Sequence, residues 1–251
     1  MNKVDLDLIK VDNLTHQEVI DEIKSKLLKS NSPNILVTPN AGHLKEIQNN
    51  QNLRNIYQEA QICLADGWPI ALAASIAGKT KIERVAGSDL VPQILSELPK
   101  EIRVGIIGGN DQTKIRSKLE SKYPNLNLQI IDVSQWSDSI YDIRRLRELV
   151  QYNALSIVFL CLGHPKQEIL AYELKEYDWV GSRPDWVLCV GASIDFLTGE
   201  QRRAPIIFTR LGLEWFYRLI SNPKKFFLRY LNAIWPSLKL LVKSFRMRKF
   251  N

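Results

Sequence analysis

The stretch RVGIIGGNDQTKIRSKLESKY, Arg103–Tyr123, decides the fold class. Val104-Gly105-Ile106-Ile107 is a short apolar run, closed by the tight-turn residues Gly108-Gly109-Asn110. The segment from Asp111 to Tyr123 then reads as a helix, so the whole stretch is one βα unit. The same rhythm continues downstream. Leu126 to Val133 reads as a strand and Ile140 to Tyr152 as a helix rich in Arg and Glu. Ser156 to Leu162 is a buried strand, Lys166 to Lys175 a helix, and Trp186 to Val190 a further strand ending in Gly191. Such alternation predicts an α/β fold: a Rossmann-like, mostly parallel sheet with helices on both faces. In that architecture ligands gather outside the carboxyl ends of the strands. The turns at Thr38, Asp66, Gly108, Gly163 and Gly191 are therefore expected on one rim.

Towards the N-terminus, Leu6 to Val11 reads as an edge strand. Thr15-His-Gln-Glu18 is a capping-box pattern that opens a helix with Val19, Ile20, Ile23 and Leu27 on its apolar side. Ile35-Leu36-Val37 is a strand, broken by Thr38-Pro39-Asn40. A polar helix follows with Leu44, Ile47, Leu53 and Ile56 inside. Ile62 to Ala65 is another buried strand, ending in Asp66-Gly67, and a small-residue helix runs from about Pro69 to Ala77. Ser88 is expected to cap a helix reaching Leu98.

The chain has 251 residues, 45% hydrophobic and 24% charged, as in ordinary globular proteins. That length suits one large core with an appendage: an α/β core over residues 1–197 and a membrane-associating appendage over 198–251. The start lacks the apolar core of a signal peptide, and no apolar run is long enough to span a bilayer. Cys63, Cys161 and Cys189 each fall inside a predicted strand and form no CxxC pair, which points to a reducing compartment, the cytoplasm. The net charge of +7 is unevenly distributed. Beyond Glu214 there are nine basic residues and no acid, whereas the first 214 residues hold 25 basic groups against 27 acids.

Asp66 stands out as the candidate acid/base, an acid at the exit of a buried strand with Gly67 beside it. Capping of the next helix is the competing role, since Asp ahead of Pro69 is good capping chemistry. Arg84 is expected to help organise the same pocket. Gly105-Ile-Ile-Gly108-Gly109 lacks the GxGxxG spacing of a dinucleotide site, although a helix N-terminus there can hold phosphate; a plain tight turn is the alternative. Lys166 and Gln167, on a rim turn, suit a phosphate and a sugar hydroxyl, or else form an ordinary solvated first turn. No metal site is expected: His164 stands alone, His43 and His16 lack partners at ligand spacing, and Asp5-Leu-Asp7 does not follow a core strand. No cofactor is implied.

The tail from Lys224 to Phe250 reads as one or two basic helices bent at Pro236, with an apolar stripe through Phe226, Phe227, Leu231, Ile234, Leu238 and Leu241. A membrane surface, nucleic acid and the protein's own core are the rival partners for that stripe. Trp235 and the bulky Phe and Leu residues favour an interfacial helix on the inner face of the cell membrane, with no nucleic acid. A homo-oligomer is also compatible with this stripe.

Seven motifs, taken together, resemble one family: Thr38-Pro-Asn40-Ala, Ala65-Asp66-Gly67, Glu83-Arg84-Val-Ala-Gly87-Ser-Asp89-Leu, Pro165-Lys-Gln167-Glu168, Val190-Gly-Ala-Ser-Ile-Asp195-Phe, Arg203-Ala-Pro205 and Gly212-Leu-Glu214-Trp215-Phe-Tyr-Arg218. Their order and content resemble the bacterial N-acetylmannosaminyltransferase (WecG/TagA/CpsF) family of cell-surface polysaccharide synthesis, from about Ile35 to Arg229. The resemblance implies an inverting, metal-independent glycosyltransferase. Such an enzyme moves an N-acetylmannosamine-type sugar from UDP to a polyprenyl-diphosphate-linked N-acetylglucosamine. By the same resemblance Asp66 is the base, and Thr38, Asn40, Arg84 and Gln167 line the substrate pocket. Arg203, Arg210 and Arg218 of the appendage would complete it over the diphosphate. Gly108, Gly109, Lys166 and Asp195 are further candidate substrate-binding residues. A non-enzymatic, membrane-associated UDP-sugar-binding protein is the alternative. The chain departs from the family pattern at Trp68-Pro69, at His164 where Ser is usual, and at Ile131 to Trp136.

Overall fold

The computed structural model describes residues 3–29, 31–133, 140–201, 204–205, 208 and 214–250. Six parallel strands form the central sheet in the order β4-β3-β8-β7-β5-β6. They are β3 (Asn34–Val37), β4 (Ile62–Cys63), β5 (Arg103–Gly108), β6 (Asn127–Ile131), β7 (Ile157–Cys161) and β8 (Trp186–Cys189). Successive residues of a strand point to opposite faces, and both faces are covered, so the runs are apolar throughout. Leu36, Ile106, Phe159 and Leu188 enter one core with α1 (His16–Lys26), α5 (Gly87–Glu97) and α6 (Gln112–Lys122). Val37, Ile107, Leu160 and Cys189 enter the other. That second core takes in α2 (Leu44–Asn49), α3 (Gln51–Glu59), α4 (Trp68–Gly78), α7 (Ile140–Tyr152) and α8 (Lys166–Lys175). The α/β expectation holds.

Local details correct the sequence reading at four points. Leu6 to Val11 is not one edge strand but the turn and second strand of a hairpin, β1 (Lys3–Asp5) and β2 (Lys10–Asp12). Its buried Asp12 accepts from the Cys63 amide at 2.9 Å and pairs with Lys3 at 3.1 Å, so the hairpin covers the outer edge of β4. Asp5-Leu-Asp7 is simply the hairpin turn, with the Asp7 amide bonded to the Asp5 carboxylate. The polar helix after β3 is broken at Asn50, whose side chain caps α3 by accepting from Leu53 N at 3.0 Å. Ser88 is not a cap; α5 begins at Gly87, with Ala86 at the cap position and no side-chain hydrogen bond there. All three cysteines lie buried in strands as expected.

The C-terminal region contains α9 (Ser193–Thr198), α10 (Glu214–Ser221) and α11 (Pro223–Phe250). Asn222-Pro223 is a break as expected, but α11 continues through Pro236 as a single helix. It packs mainly on α4 and also meets α2 and the 3-10 turn Ala41–His43. Ala233, Pro236, Leu240 and Ser244 form its buried stripe, on an i, i+3, i+7, i+11 spacing. Of the stripe read from sequence, Phe227, Leu231, Ile234 and Leu238 face outward, away from the core.

Gly105, at the centre of β5, has no space for a side chain. A Cβ there would lie 2.5 Å from Leu155 Cδ1, and Leu155 is itself fully buried. Gly105→Ala is expected to destabilise the protein by about 1–3 kcal/mol through overpacking. In a chain this long that lowers the melting temperature by several degrees, roughly 2–4 °C per kcal/mol; calorimetry checks it.

Candidate active site

The exits of β3, β4, β7 and β8 enclose a cavity of about 380 Å³ that the C-terminal segment closes from above. Thr38 and Asn40 contribute from β3, Asp66 from β4, Gly163, His164 and Gln167 from β7, and Gly191 to Ser193 from β8. Glu214 and Arg218 of α10 and Arg229 of α11 complete the lining.

The rim is held rigid by its own polar groups. Thr38 Oγ1 donates to Cys189 O at 3.1 Å, tying β3 to β8 at their ends. Asn40 Oδ1 accepts from Gly42 N at 3.0 Å and so starts the 3-10 turn. Gln167 is buried; its Oε1 accepts from Gly191 N at 2.9 Å and its Nε2 donates to Glu168 at 3.0 Å. Gln167 therefore shapes the rim as well as lining it. Gly87 opens α5 against this layer, where a Cβ would come within 2.9 Å of Ser193 Oγ.

Asp66 is fixed by its backbone, with N–H bonded to Pro39 O at 3.0 Å and Val85 N bonded to Ala65 O at 3.1 Å. The capping role is not taken: Gly67, at φ 150°, is the cap residue of α4, and no side chain caps the helix. The Asp66 carboxyl faces the cavity, where burial pushes its pKa up to about 6. The Arg84 and Arg218 guanidinium groups pull it down, while Glu214 and Asp89 push it up. It is still ionised at neutral pH, yet far more basic than a free Asp near about 3.9.

Arg84 meets Glu214 through two contacts, NH1 to Oε2 at 3.1 Å and NH2 to Oε1 at 3.2 Å, and Asp89 at 3.5 Å. This two-point pair fastens α10 beside the β4 exit. Arg218 lies over the Phe196 ring, 4.9 Å from its centroid. Arg229 passes close to Gly42; a Cβ on Gly42 would stand 2.7 Å from Arg229 Nε.

Thus Thr38, Asn40, Asp66, Gln167 and Arg218 converge as the sequence suggested, with Arg84 beside them. Gly108, Gly109, Lys166 and Asp195 do not line the cavity. Gly108 and Gly109 form a turn whose carbonyls accept from Gln112, and Asp195 is occupied by Asn110, accepting from its N at 3.0 Å and its Nδ2 at 2.8 Å. Arg203 and Arg210 lie outside the described residues. Sequence reading missed Glu214 as the partner of Arg84, and Arg229, whose only signal was its place among the tail's basic residues.

It also missed a buried polar cluster. His43 and His164, separated by more than a hundred positions, stack with ring centroids 4.1 Å apart and an 8° tilt. Tyr57 OH donates to Glu168 Oε1 at 2.9 Å and lies 3.3 Å from His43 Nδ1 and 3.2 Å from His164 Nδ1. His43 therefore does have ligand-type partners, His164 and Glu168, with donor atoms within 4.8 Å of one another. The arrangement does not fit a metal. The Tyr57 hydroxyl occupies the point between the donors, and Zn–N bonds of about 2.0–2.1 Å require that it leave. Burial, His164 and Arg229 hold the His43 pKa well below its ordinary value, so this ring is neutral. Burial and the neighbouring Glu168 push Tyr57 upward, so its hydroxyl keeps its proton.

The raised Asp66 pKa sets two expectations. Activity that needs ionised Asp66 falls below pH 6, by about tenfold per pH unit. Because the folded-state value exceeds the unfolded one, ionising Asp66 costs stability; the cost is absent below about pH 3.8 and complete above 6. Asp66→Asn is therefore expected to raise the melting temperature at pH 8, a gain of order 1–3 kcal/mol, and to leave it unchanged near pH 3.5. Thermal melts at both pH values check the sign.

The model of the glycosyl transferase WecG/TagA/CpsF family matches residues 4–251, nearly the whole chain. The match covers nearly the whole chain, so the chain belongs to this family of glycosyltransferases.

Proposed function

We propose that the protein is an inverting glycosyltransferase that moves an N-acetylmannosamine-type sugar from a UDP donor to a polyprenyl-diphosphate-linked N-acetylglucosamine. The observation that carries the reading is Asp66, a carboxylate on the cavity wall with its pKa raised to about 6 beside cationic Arg84 and Arg218. In an inverting displacement the acceptor oxygen attacks the anomeric carbon while its proton passes to Asp66. The bond from that carbon to the diphosphate breaks, and the diphosphate leaves with the electron pair. A base of raised pKa accepts the proton more readily than a free Asp. Arg218 and Arg229 supply positive charge for the departing diphosphate, work that a metal ion performs in other enzymes. The reaction is accordingly proposed to need no metal.

A screen for UDP release across several UDP-sugars, with a soluble lipid-diphosphate-N-acetylglucosamine acceptor and EDTA present, tests this reading. Release is expected with an N-acetylmannosamine-type donor, and Asp66→Asn should lose it by at least about 100-fold, as for loss of a general base. Gly42→Ala should displace the Arg229 side chain and cost roughly tenfold in turnover, in line with the loss of one charge-stabilising contact. Binding of UDP-sugar without release by any acceptor would favour the non-enzymatic reading.

The acceptor class calls for a membrane surface, and α11 offers one. No helix among the described residues is long and apolar enough to cross a bilayer. Yet Phe227, Leu231, Ile234, Trp235, Leu238, Val242 and Phe245 form an outward apolar stripe, with Trp235 63% exposed. Lys239 and Arg246 flank it, and Lys239 lies 5.5 Å from the Trp235 ring. Such a helix lies in the interface with its apolar side buried, aided by about 1 kcal/mol per basic residue on an anionic leaflet. Residues 198–251 are thus proposed as a membrane-associating appendage on the inner face of the cell membrane. In liposome flotation, full-length protein is expected to rise with anionic vesicles, and the double variant Trp235→Glu, Leu238→Glu to stay behind with its fold intact by circular dichroism. Equal flotation of the two would remove the membrane role of this stripe.

A further inference from the structure

The buried cluster behind the cavity fixes the ring of His164 and leaves one of its nitrogens without a hydrogen bond. Stacking on His43 sets the plane of the ring, and Nδ1 is held between Tyr57 OH at 3.2 Å and Glu168 Oε2 at 3.3 Å. Only a side chain so constrained can present its other nitrogen in a single direction. That nitrogen, Nε2, is buried in a residue that lines the cavity and makes no hydrogen bond. Glu46 Oε2 comes within 3.2 Å as an ion-pair contact but outside hydrogen-bonding geometry. Glu46 also lines the cavity, with its side chain half exposed. A buried polar atom in a cavity wall with no hydrogen bond inside the protein can take one from a ligand.

We propose that His164 and Glu46 form a subsite that reads the hydroxyl groups of a neutral sugar ring, with Tyr57 and Glu168 as positioning residues. The pair offers an imidazole nitrogen and a carboxylate side by side. With Nδ1 facing the Glu168 carboxylate, Nε2 is an acceptor, so two neighbouring sugar hydroxyls can donate, one to Glu46 and one to Nε2. The same carboxylate, with that of Glu168 behind it, repels a sugar that carries its own carboxylate. The subsite therefore selects a neutral hexosamine over a hexuronate. The inference rests on the glycosyl-transfer reading, and the ring read here is that of either the donor or the acceptor.

Calorimetric titration of the full-length protein separates these cases. The ligands are UDP, a neutral UDP-N-acetylhexosamine, the matching UDP-hexuronate, and a soluble lipid-diphosphate-sugar acceptor. The wild type is expected to prefer the neutral ring over its uronate by at least about tenfold, or 1.4 kcal/mol. His164→Ala should weaken one sugar-bearing ligand by about tenfold or more and leave UDP within twofold. The ligand that weakens, donor or acceptor, identifies the ring. Glu46→Gln, on an exposed helix face where folding is secure, should shrink the preference against the uronate. Tyr57→Phe should weaken the same ligand as His164→Ala and shift the pH dependence of its binding, which mere loss of packing would not do. Equal loss for UDP and UDP-sugar, no loss for either sugar ligand, or a stoichiometric metal ion in the purified protein would overturn the subsite. A wild type that binds neither nucleotide nor acceptor would instead overturn the glycosyl-transfer reading, and the subsite with it.

Discussion

A parallel sheet covered on both faces leaves its polar chemistry one place to go. Side chains above and below the strands are committed to the two cores, so only the strand exits can present polar groups without burying them unsatisfied. Here the exits of β3, β4, β7 and β8 lie side by side, although they are far apart in the chain. The bonds from Thr38 to Cys189, Gln167 to Gly191 and Asp66 to Pro39 stitch neighbouring exits together. That stitched rim is what allows Asp66 to be surrounded by protein, and its raised pKa is a consequence of the enclosure.

The enclosure needs a fourth wall, and the far end of the chain provides it. The ion pair between Arg84 and Glu214 joins the β4 exit to α10 across 130 positions. Its two parallel contacts fix orientation as well as proximity, which a lysine in place of Arg84 could not do. Once α10 is set, Arg218 reaches Phe196 and the field around Asp66, and α11 delivers Arg229 beside Gly42. Core and appendage therefore share one site. A boundary near residue 198 describes the change in composition along the chain, whereas the cavity takes side chains from both sides of it.

The fold was largely legible because βα periodicity is local. Helix α8 begins and ends where its apolar spacing and turn residues place it, and the six sheet strands read from sequence are all present. The hairpin at the N-terminus was not legible, since a run with weak alternation does not reveal a turn at Asp7, where φ is 70°. Within the site, Asp66 and Gln167 could be picked out because each lies past a strand exit or opens a helix, whereas Thr38 and Asn40 came from the resemblance of their motif. Gly108 and Gly109 have the same local signature, yet β5 sends its exit into a turn closed by Gln112. Which exits share a cavity depends on strand order, and no local pattern encodes that order. The pairing of His43 with His164 is hidden for the same reason: one follows β3, the other follows β7, and β8 lies between them in the sheet.

The two apolar sides of α11 carry the last step. Its buried stripe uses small or compact residues, Ala233, Pro236 and Ser244, with Leu240, while Leu241 and Met247 pack on the core part-buried. Its outer stripe holds the bulky ones, Phe227, Leu231, Trp235 and Phe245. A helix designed only to stabilise the core would place its largest apolar groups inward, because burial is worth roughly 25 cal/mol per Å² of apolar surface. The reverse distribution means that the inner side sets the position of Arg229 with close backbone approach to α4 and the 3-10 turn, while the outer side retains most of the apolar area for something else. One helix then relates two surfaces: its inner side packs on α4 and the 3-10 turn and carries Arg229 beside Gly42, while its outer side is apolar and exposed.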